Sequence, residues 1–321
     1  MKLRRLMQIR DWPDYAVEAA LRLGWSLPSL GSSHAMLPVS LRERVSVRWP
    51  RAYQWRFMYI GGDQLRDMLQ RRVDVALADL PQPYRGTIVS QFVVDGRPHQ
   101  VAFNVSDYPD FVDEECTRNS LVTFKFQFRD DGYPHPTIVP GGYLPASRKL
   151  YPFLKYLRWA KSHRTPKFDV YGRFSMSFAR DIRAQALRDL ANAGSFTFWG
   201  GDRVVSYSRY LREVARARVC IDLPGTGPLC MRFVEYLAVG ACVVARRHGV
   251  RLPGDVSDGT HLVYWSGGPD EAVRACKELL EDEARRQAME QSAREFFDRY
   301  LHRDQLSAYY IRMVLAAAGA R

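Results

Sequence analysis

The densest chemistry in the chain lies in Asp222-Leu223-Pro224-Gly225-Thr226-Gly227-Pro228-Leu229-Cys230-Met231-Arg232-Phe233-Val234-Glu235. An apolar run empties through a glycine-containing loop into an amphipathic stretch. The first N–H groups of the helix expected there have no partner within it. Together with the positive end of the helix dipole they attract an anion such as a diphosphate. Gly225, Thr226 and Gly227 would cradle it. Arg232 and Glu235 are three apart and share a helix face, so a guanidinium could meet a phosphate while a carboxylate accepts from ribose hydroxyls. The same spacing also fits an ordinary intrahelical Arg–Glu pair.

Three further segments carry candidate groups. Tyr171-Gly172-Arg173-Phe174-Ser175 leaves an apolar run, where Gly172 permits close backbone approach and Arg173 offers a forked donor to phosphate oxygens. Trp199-Gly200-Gly201-Asp202 ends the next run, and its backbone groups could read a base edge; a tight turn beside a core Trp fits equally. Asn104-Val105-Ser106-Asp107-Tyr108-Pro109-Asp110 offers two carboxylates after a third run. A hydroxyl that attacks an electrophilic carbon must lose its proton, and an Asp within reach can accept it. Asp107 is the candidate base, with Asp110 behind it; a turn, or the cap of a helix over 111–117, fits as well. Lys125 and Arg129 face either the same cleft or solvent. Cys230 reads as a buried thiol.

The elements that must position these groups are clearest in the second half. Strands are expected at 168–171, 195–199, 219–223, 241–245 and 261–265. Helices are expected at 181–192, 206–218, 228–239 with Gly240 as C-cap, 269–281, 283–300 and 303–318. Strand–helix alternation means a parallel sheet covered on both faces, with ligands in the crevice beyond the carboxyl ends of its strands. The first half is less regular, with strands at 6–9, 73–78, 101–105 and 121–126 and helices at 13–23 and 64–70. A Pro- and Gly-dense stretch at 137–145 places a boundary there, giving domains of 1–150 and 151–321.

The segment Asp222 to Ala245, with Asp258-Gly259-Thr260-His261-Leu262-Val263 and the closing helices, resembles the donor domain of GT-B glycosyltransferases, particularly the family 1 and 4-like branch. The resemblance spans Phe168 to about Leu315 and touches the first half only loosely. It implies two Rossmann-like domains facing across a cleft, and a hexosyltransferase that uses a nucleotide diphosphate sugar, a UDP-sugar foremost, as co-substrate with no tightly bound cofactor. It implies that Glu235 binds the ribose, that Arg232 serves the diphosphate and that Trp199-Gly200 lies near the base. Many relatives carry an acidic residue eight positions before this glutamate; here that position is Gly227.

Composition bounds the rest. The 321 residues are 46% hydrophobic and 26% charged, ordinary globular values, and no apolar stretch is long enough to span a membrane. Five cysteines without a C-x-x-C pair and seven scattered histidines argue against a disulfide framework or a metal site and fit a cytoplasmic protein. With no D-x-D pair in the donor half, metal-independent transfer is expected. The net charge of +12 suggests an anionic partner. It is spread, with 20 basic and 16 acidic groups in residues 1–150. A modified base in DNA and an anionic lipid or glycan are each compatible acceptors. A catalytically silent nucleic-acid-binding protein and a nucleotide-sugar epimerase are the alternatives from other classes.

Overall fold

The computed structural model describes residues 38–55 and 58–319, besides Ala19; the strand expected at 6–9 and most of the helix expected at 13–23 lie outside the described residues. The first half runs α1 (Val39–Glu43), β1 (Val45–Pro50), α2 (Met58–Gln70), β2 (Asp74–Ala78), β3 (Thr87–Val94), β4 (Arg97–Asn104), α3 (Glu114–Asn119), β5 (Val122–Lys125) and β6 (Ile138–Pro140). Helix α4 (Leu150–His163) leads to the second half: β7 (Phe168–Arg173), α5 (Arg180–Ala191), β8 (Phe198–Gly201), α6 (Tyr207–Ala215), β9 (Ala217–Asp222), α7 (Met231–Val239), β10 (Cys242–Arg246) and β11 (Val263–Trp265). Helices α8 (Pro269–Glu281) and α9 (Glu283–Phe296), a π-helical turn (Phe297–Leu301) and α10 (Arg303–Ala317) complete the described chain.

The second sheet has the order β11-β10-β9-β7-β8, and every neighbouring pair is parallel. Its central strands β9 and β10 are short runs rich in Val and Cys and largely buried, as a sheet flanked by crossover helices requires, while edge strand β8 leaves Trp199 exposed. The first sheet has the order β2-β1-β3-β4-β5-β6. It is mixed, because β3 runs antiparallel to both β1 and β4. The cause is local. Asp95 and Gly96 take φ of 49° and 79°, the left-handed pair of a two-residue hairpin whose twist matches that of its strands, and they fold β3 directly onto β4.

The chain crosses back at its end. Helix α10 lies on the first sheet, where Tyr310 packs against Phe103 and Phe124 and donates to the Gly141 carbonyl at 2.6 Å. Asp304 at its start meets Arg71 at 3.0 Å. One continuous apolar cluster thus runs from Val45 and Trp49 through Phe233 and Leu237 to Tyr310 and Val314. Both sheets are held by the same core, and their carboxyl-end loops are thereby brought against one another.

Gly172 and Gly200 are partners across β7 and β8. Gly200 has φ of 142°, and a Cβ on it would overlap the carbonyl group of Gly172. Two backbones approach here, and any side chain would push the edge strand away. Gly200→Ala is expected to lower unfolding free energy by about 3 kcal/mol, a backbone strain plus a steric term. Gly194→Ala, at φ of 65° with open space around it, should cost only about 1 kcal/mol. Urea titration of the two variants checks the contrast; equal losses would contradict it.

Candidate functional site

Four loops meet at the carboxyl edge of the second sheet, and an enclosed charge network organises them. Asp222, the last residue of β9, is fully buried. Its Oδ2 lies 3.0 Å from His248 Nε2, and His248 Nδ1 lies 3.1 Å from the Tyr264 hydroxyl, so β9, β11 and the loop after β10 are tied together. Its Oδ1 faces Arg232 Nε at 3.6 Å, beyond hydrogen-bond distance, and both atoms are buried without a hydrogen-bond partner. Arg232 also donates from Nη2 to the Leu223 carbonyl at 2.9 Å and lies over the Phe174 ring at 4.8 Å. Burial opposes its charge, Asp222 favours it, and the net direction of its pKa is upward.

A second guanidinium lies beside it. Arg183 on α5 is buried, donates from Nε to the Pro224 carbonyl at 2.9 Å and from Nη1 to the Ser175 carbonyl, and shares Phe174 with Arg232. Burial pushes its pKa down, and the neighbouring Arg232 adds to this. Two guanidinium groups therefore sit with one enclosed carboxylate between the loops after β7 and β9. An enclosed excess of positive charge is costly unless an anion joins it. Beside the loops after β7 and β8 a cavity of about 140 Å³ is lined by Arg173, Phe174, Ser175, Asp202, Arg203 and Tyr210.

The structure brings the Asp107 segment against the β9–α7 loop. A Cβ on Gly227 would overlap the Asp107 carbonyl oxygen and crowd the Gln127 side chain. Gln127 closes the contact by donating to the Leu229 carbonyl at 2.9 Å and accepting from the Leu229 N–H at 3.2 Å. This explains why position 227 is glycine where many relatives of the resembled family carry an acid: no side chain fits between the halves here. Asp107 is partly buried and accepts from the Tyr143 hydroxyl at 3.1 Å. Lys125, completely buried, donates to Asn104 Oδ1 at 3.0 Å and to the Tyr108 carbonyl at 2.9 Å, fixing the loop that carries Asp107. Lys125 thus faces the interior, and neither the cleft nor the solvent expected from the sequence.

Other expected site residues stand differently. Asp110 is exposed at the rim and pairs with Arg129 at 3.3 Å, so it does not back Asp107. The helix there starts at Glu114 and is capped by Asp113, which accepts from the Cys116 N–H at 2.8 Å. Arg173 is held by Glu213, Nε to Oε2 at 2.6 Å and Nη2 to Oε1 at 3.1 Å, which takes up the fork expected for phosphate. Gly200 makes room for the Gly172 carbonyl, and Gly172 for the Phe174 ring. Trp199 leaves the crevice altogether: its ring lies on Phe168, the first residue of β7, at 5.4 Å and 8°. Glu235 is buried, and its Oε1 accepts from the Ala146 N–H at 2.9 Å and the Tyr207 hydroxyl at 2.7 Å, so it joins the halves and is not open to a ribose in this arrangement. Burial pushes its carboxyl pKa up against these two donors. Gly225 and Thr226 stay at the loop surface, with the Gly225 N–H bonded to the Gly227 carbonyl at 2.9 Å. Helix α7 begins at Met231, three residues later than its apolar pattern suggests, because Cys230 is still extended at φ −115° and ψ 155°. Burial raises the Cys230 thiol to about 11, as expected of a structural cysteine.

Sequence reasoning missed Arg183, although a signal existed. It sits three residues before Ala186 and seven before Leu190, inside the apolar stripe of α5, where a cation must find enclosed acceptors. The partnership of Asp222 with His248 spans 26 residues and left no local trace.

Residues 164–309 match the family model described as "Glycosyl transferase-like". No curated protein sequence matches the chain. Among solved structures it is similar to a S. aureus TarM mutant in complex with Fondaparinux, alpha-GlcNAc-glycerol and UDP, at 9% identity and a TM-score of 0.39, over 65% of this chain. The chain spans about half the length of that protein, 49%. It is also similar to a glycosyltransferase from Rickettsia africae ESF-5, at 8% identity and a TM-score of 0.42, over 84% of this chain and 83% of that one. Among the described residues no helix is long and apolar enough to cross a membrane.

Burial pushes the Lys125 ammonium down to about 7, against the pull of Asp107 and Asp110. The unfolded chain takes up this proton near 10.5 and the folded protein only near 7. Between those values the unfolded state binds more protons, so this residue makes stability rise with pH, and below about 7 its contribution is flat. Urea titrations at about pH 7 and about pH 9 should show a smaller gain in Lys125→Met than in the unaltered protein. Equal gains would mean that Lys125 is charged in the folded state throughout.

Proposed function

We propose, on the premise that residues 164–309 form a glycosyl transferase-like domain of the GT-B kind, that the protein transfers a sugar from a nucleotide diphosphate sugar to a hydroxyl held near Asp107. The observation that carries this reading is the pair of enclosed guanidinium groups, Arg183 and Arg232, with Asp222 as their one enclosed carboxylate. In the transfer, the bond between the anomeric carbon and the diphosphate oxygen breaks as the bond to the acceptor oxygen forms. Charge accumulates on the departing phosphate oxygens. Fixed cations with few competing anions stabilise that charge most where water is excluded.

Asp107 would accept the acceptor's proton, with the Tyr143 hydroxyl and the buried Lys125 holding its loop. The cavity at the carboxyl edge, at about 140 Å³, is smaller than the roughly 300 Å³ that a small-molecule site needs. With Gly227 seated against the Asp107 carbonyl and Glu235 buried beneath the same junction, donor entry would need the Gly227 loop to withdraw from Asp107. That movement would also uncover Arg232 and the first turn of α7, and the closed contact would exclude water once the donor is seated. UDP is the probe of choice, because the resemblance favours a UDP-sugar.

Calorimetry with UDP should give saturable binding to the unaltered protein. Arg232→Ala should weaken it at least about tenfold, the worth of one charge-assisted hydrogen bond, while thermal unfolding verifies that the variant is folded. Unchanged affinity in a folded variant would overturn the assignment. Asp107→Asn should leave UDP affinity unaltered and slow transfer on the order of 10²-fold, read as UDP release in the presence of acceptor.

A further inference from the structure

A second concave surface lies away from the carboxyl edge, between α4 and α6 beside the edge strand β8. It encloses about 380 Å³, within the range of small-molecule sites. Its floor is Trp199, 44% exposed and stacked flat on Phe168, so the indole presents a face. Cations surround that face: Arg164, Lys167, Arg212 and Arg216 all line the groove. Its single lining carboxylate, Glu213, is already bound by Arg173 and Arg209. Among the described residues Arg164, Lys167 and Arg216 form no ion pair; Arg216 holds the Thr165 carbonyl at 2.8 Å and Lys167 lies over Phe168 at 5.8 Å.

A second ring contact lies outside the groove's lining. Arg164 lies over the ring of Trp159 at 5.2 Å, and Trp159 is 46% exposed and stacked with His163. Arg164 and Arg216 follow the C-termini of α4 and α6, where a cation is favoured in any case. Arg212, in the last turn of α6, falls under the same rule, whereas Lys167 and the exposed indole of Trp199 go beyond what helix ends need. A flat exposed ring in a concave surface with cations on its rim is what one nucleotide of a single strand requires, its base stacked on the ring and the adjoining phosphates on the cations. A membrane surface would instead meet a convex face from which the aromatic groups project.

We propose that this groove binds single-stranded nucleic acid, with one base on Trp199 and the adjoining phosphates on Arg164, Lys167, Arg212 and Arg216. The inference stands apart from the transferase reading, since it uses none of the groups assigned to the donor. A base on Trp199 would be sequence-tolerant, because every base has a stacking face. The net charge of +12 would strengthen association at low salt.

The test is fluorescence anisotropy of a labelled twelve-residue oligothymidylate with the full chain across a salt series. Trp199→Ala should weaken binding about tenfold, and Trp199→Phe should stay within about threefold of the unaltered protein, because it keeps a stacking face. Arg164→Glu with Lys167→Glu should weaken binding further and make the slope of log affinity against log salt shallower by at least about 1.4, two phosphate contacts on a single strand. The same double variant should bind UDP as the unaltered protein does, which separates this groove from the donor site. Affinity for the oligomer unmoved by Trp199→Ala or by the double variant would overturn the proposal. So would competition by thymidine monophosphate at the oligomer's own affinity, or binding to phosphatidylglycerol vesicles that the oligomer fails to displace.

Discussion

The second half is organised around a carboxylate that water does not reach. Asp222 terminates β9, and the loop after β10, strand β11 and helix α7 each send it a partner or a partner's partner: His248, Tyr264 and Arg232. Removing one member of such a network strands the others in low dielectric, which costs more than the interaction itself is worth. The loops at the carboxyl edge are consequently fixed in position by a polar network whose own charges do not balance. Arg183 adds a second guanidinium to the side of Arg232. Structural cohesion and anion affinity thus come from the same groups.

The junction of the two halves follows from the same economy of space. Gly227 meets Asp107 backbone to backbone, Gln127 zips the Leu229 peptide, and Glu235 collects the Ala146 N–H and the Tyr207 hydroxyl. The Gln127 and Glu235 contacts are polar and directional, and water can satisfy their groups when the halves part. An interface of this kind can open without exposing a large apolar surface. The apolar attachment lies elsewhere, where α10 returns to the first sheet through Tyr310 and Leu306. The core holds the halves together while the polar seam between their loops remains separable.

Much of the second half was legible because buried parallel strands read as unbroken apolar runs and their crossover helices as amphipathic ones, so their order stood in the sequence. The start of α7 was not, since Pro228-Leu229-Cys230 is apolar enough to extend the helical pattern backwards and only its tertiary contact with Gln127 keeps it extended. The first half hid β3, although Asp95-Gly96 between Val93-Val94 and Arg97 is a strong hairpin signal. At the site, glycines announced close approach and not what approaches: Gly172 and Gly200 meet each other, and Gly227 meets Asp107. Arg173 looked available because Glu213, its partner, lies 40 residues on.

Charge imposes the last constraint. With +12 spread over the chain, arginines on a crowded surface repel one another unless each finds a carboxylate, a carbonyl or an aromatic face. Arg173 and Arg209 take Glu213, Arg158 takes Asp298, and Arg251 and Arg303 lie over Phe128 and Tyr151. Where such partners are plentiful, arginine is a structural residue. In two places such partners are mostly carbonyls and rings, and cations outnumber carboxylates: the enclosed pair at Phe174, and the cations that line the groove with Trp199. A folded chain tolerates uncompensated like charge only at a cost to its own stability, and an anionic ligand relieves that cost on binding. Both places therefore follow from one electrostatic argument, while their settings, an enclosed pair of guanidinium groups in one and an exposed indole beside surface cations in the other, suit different anions.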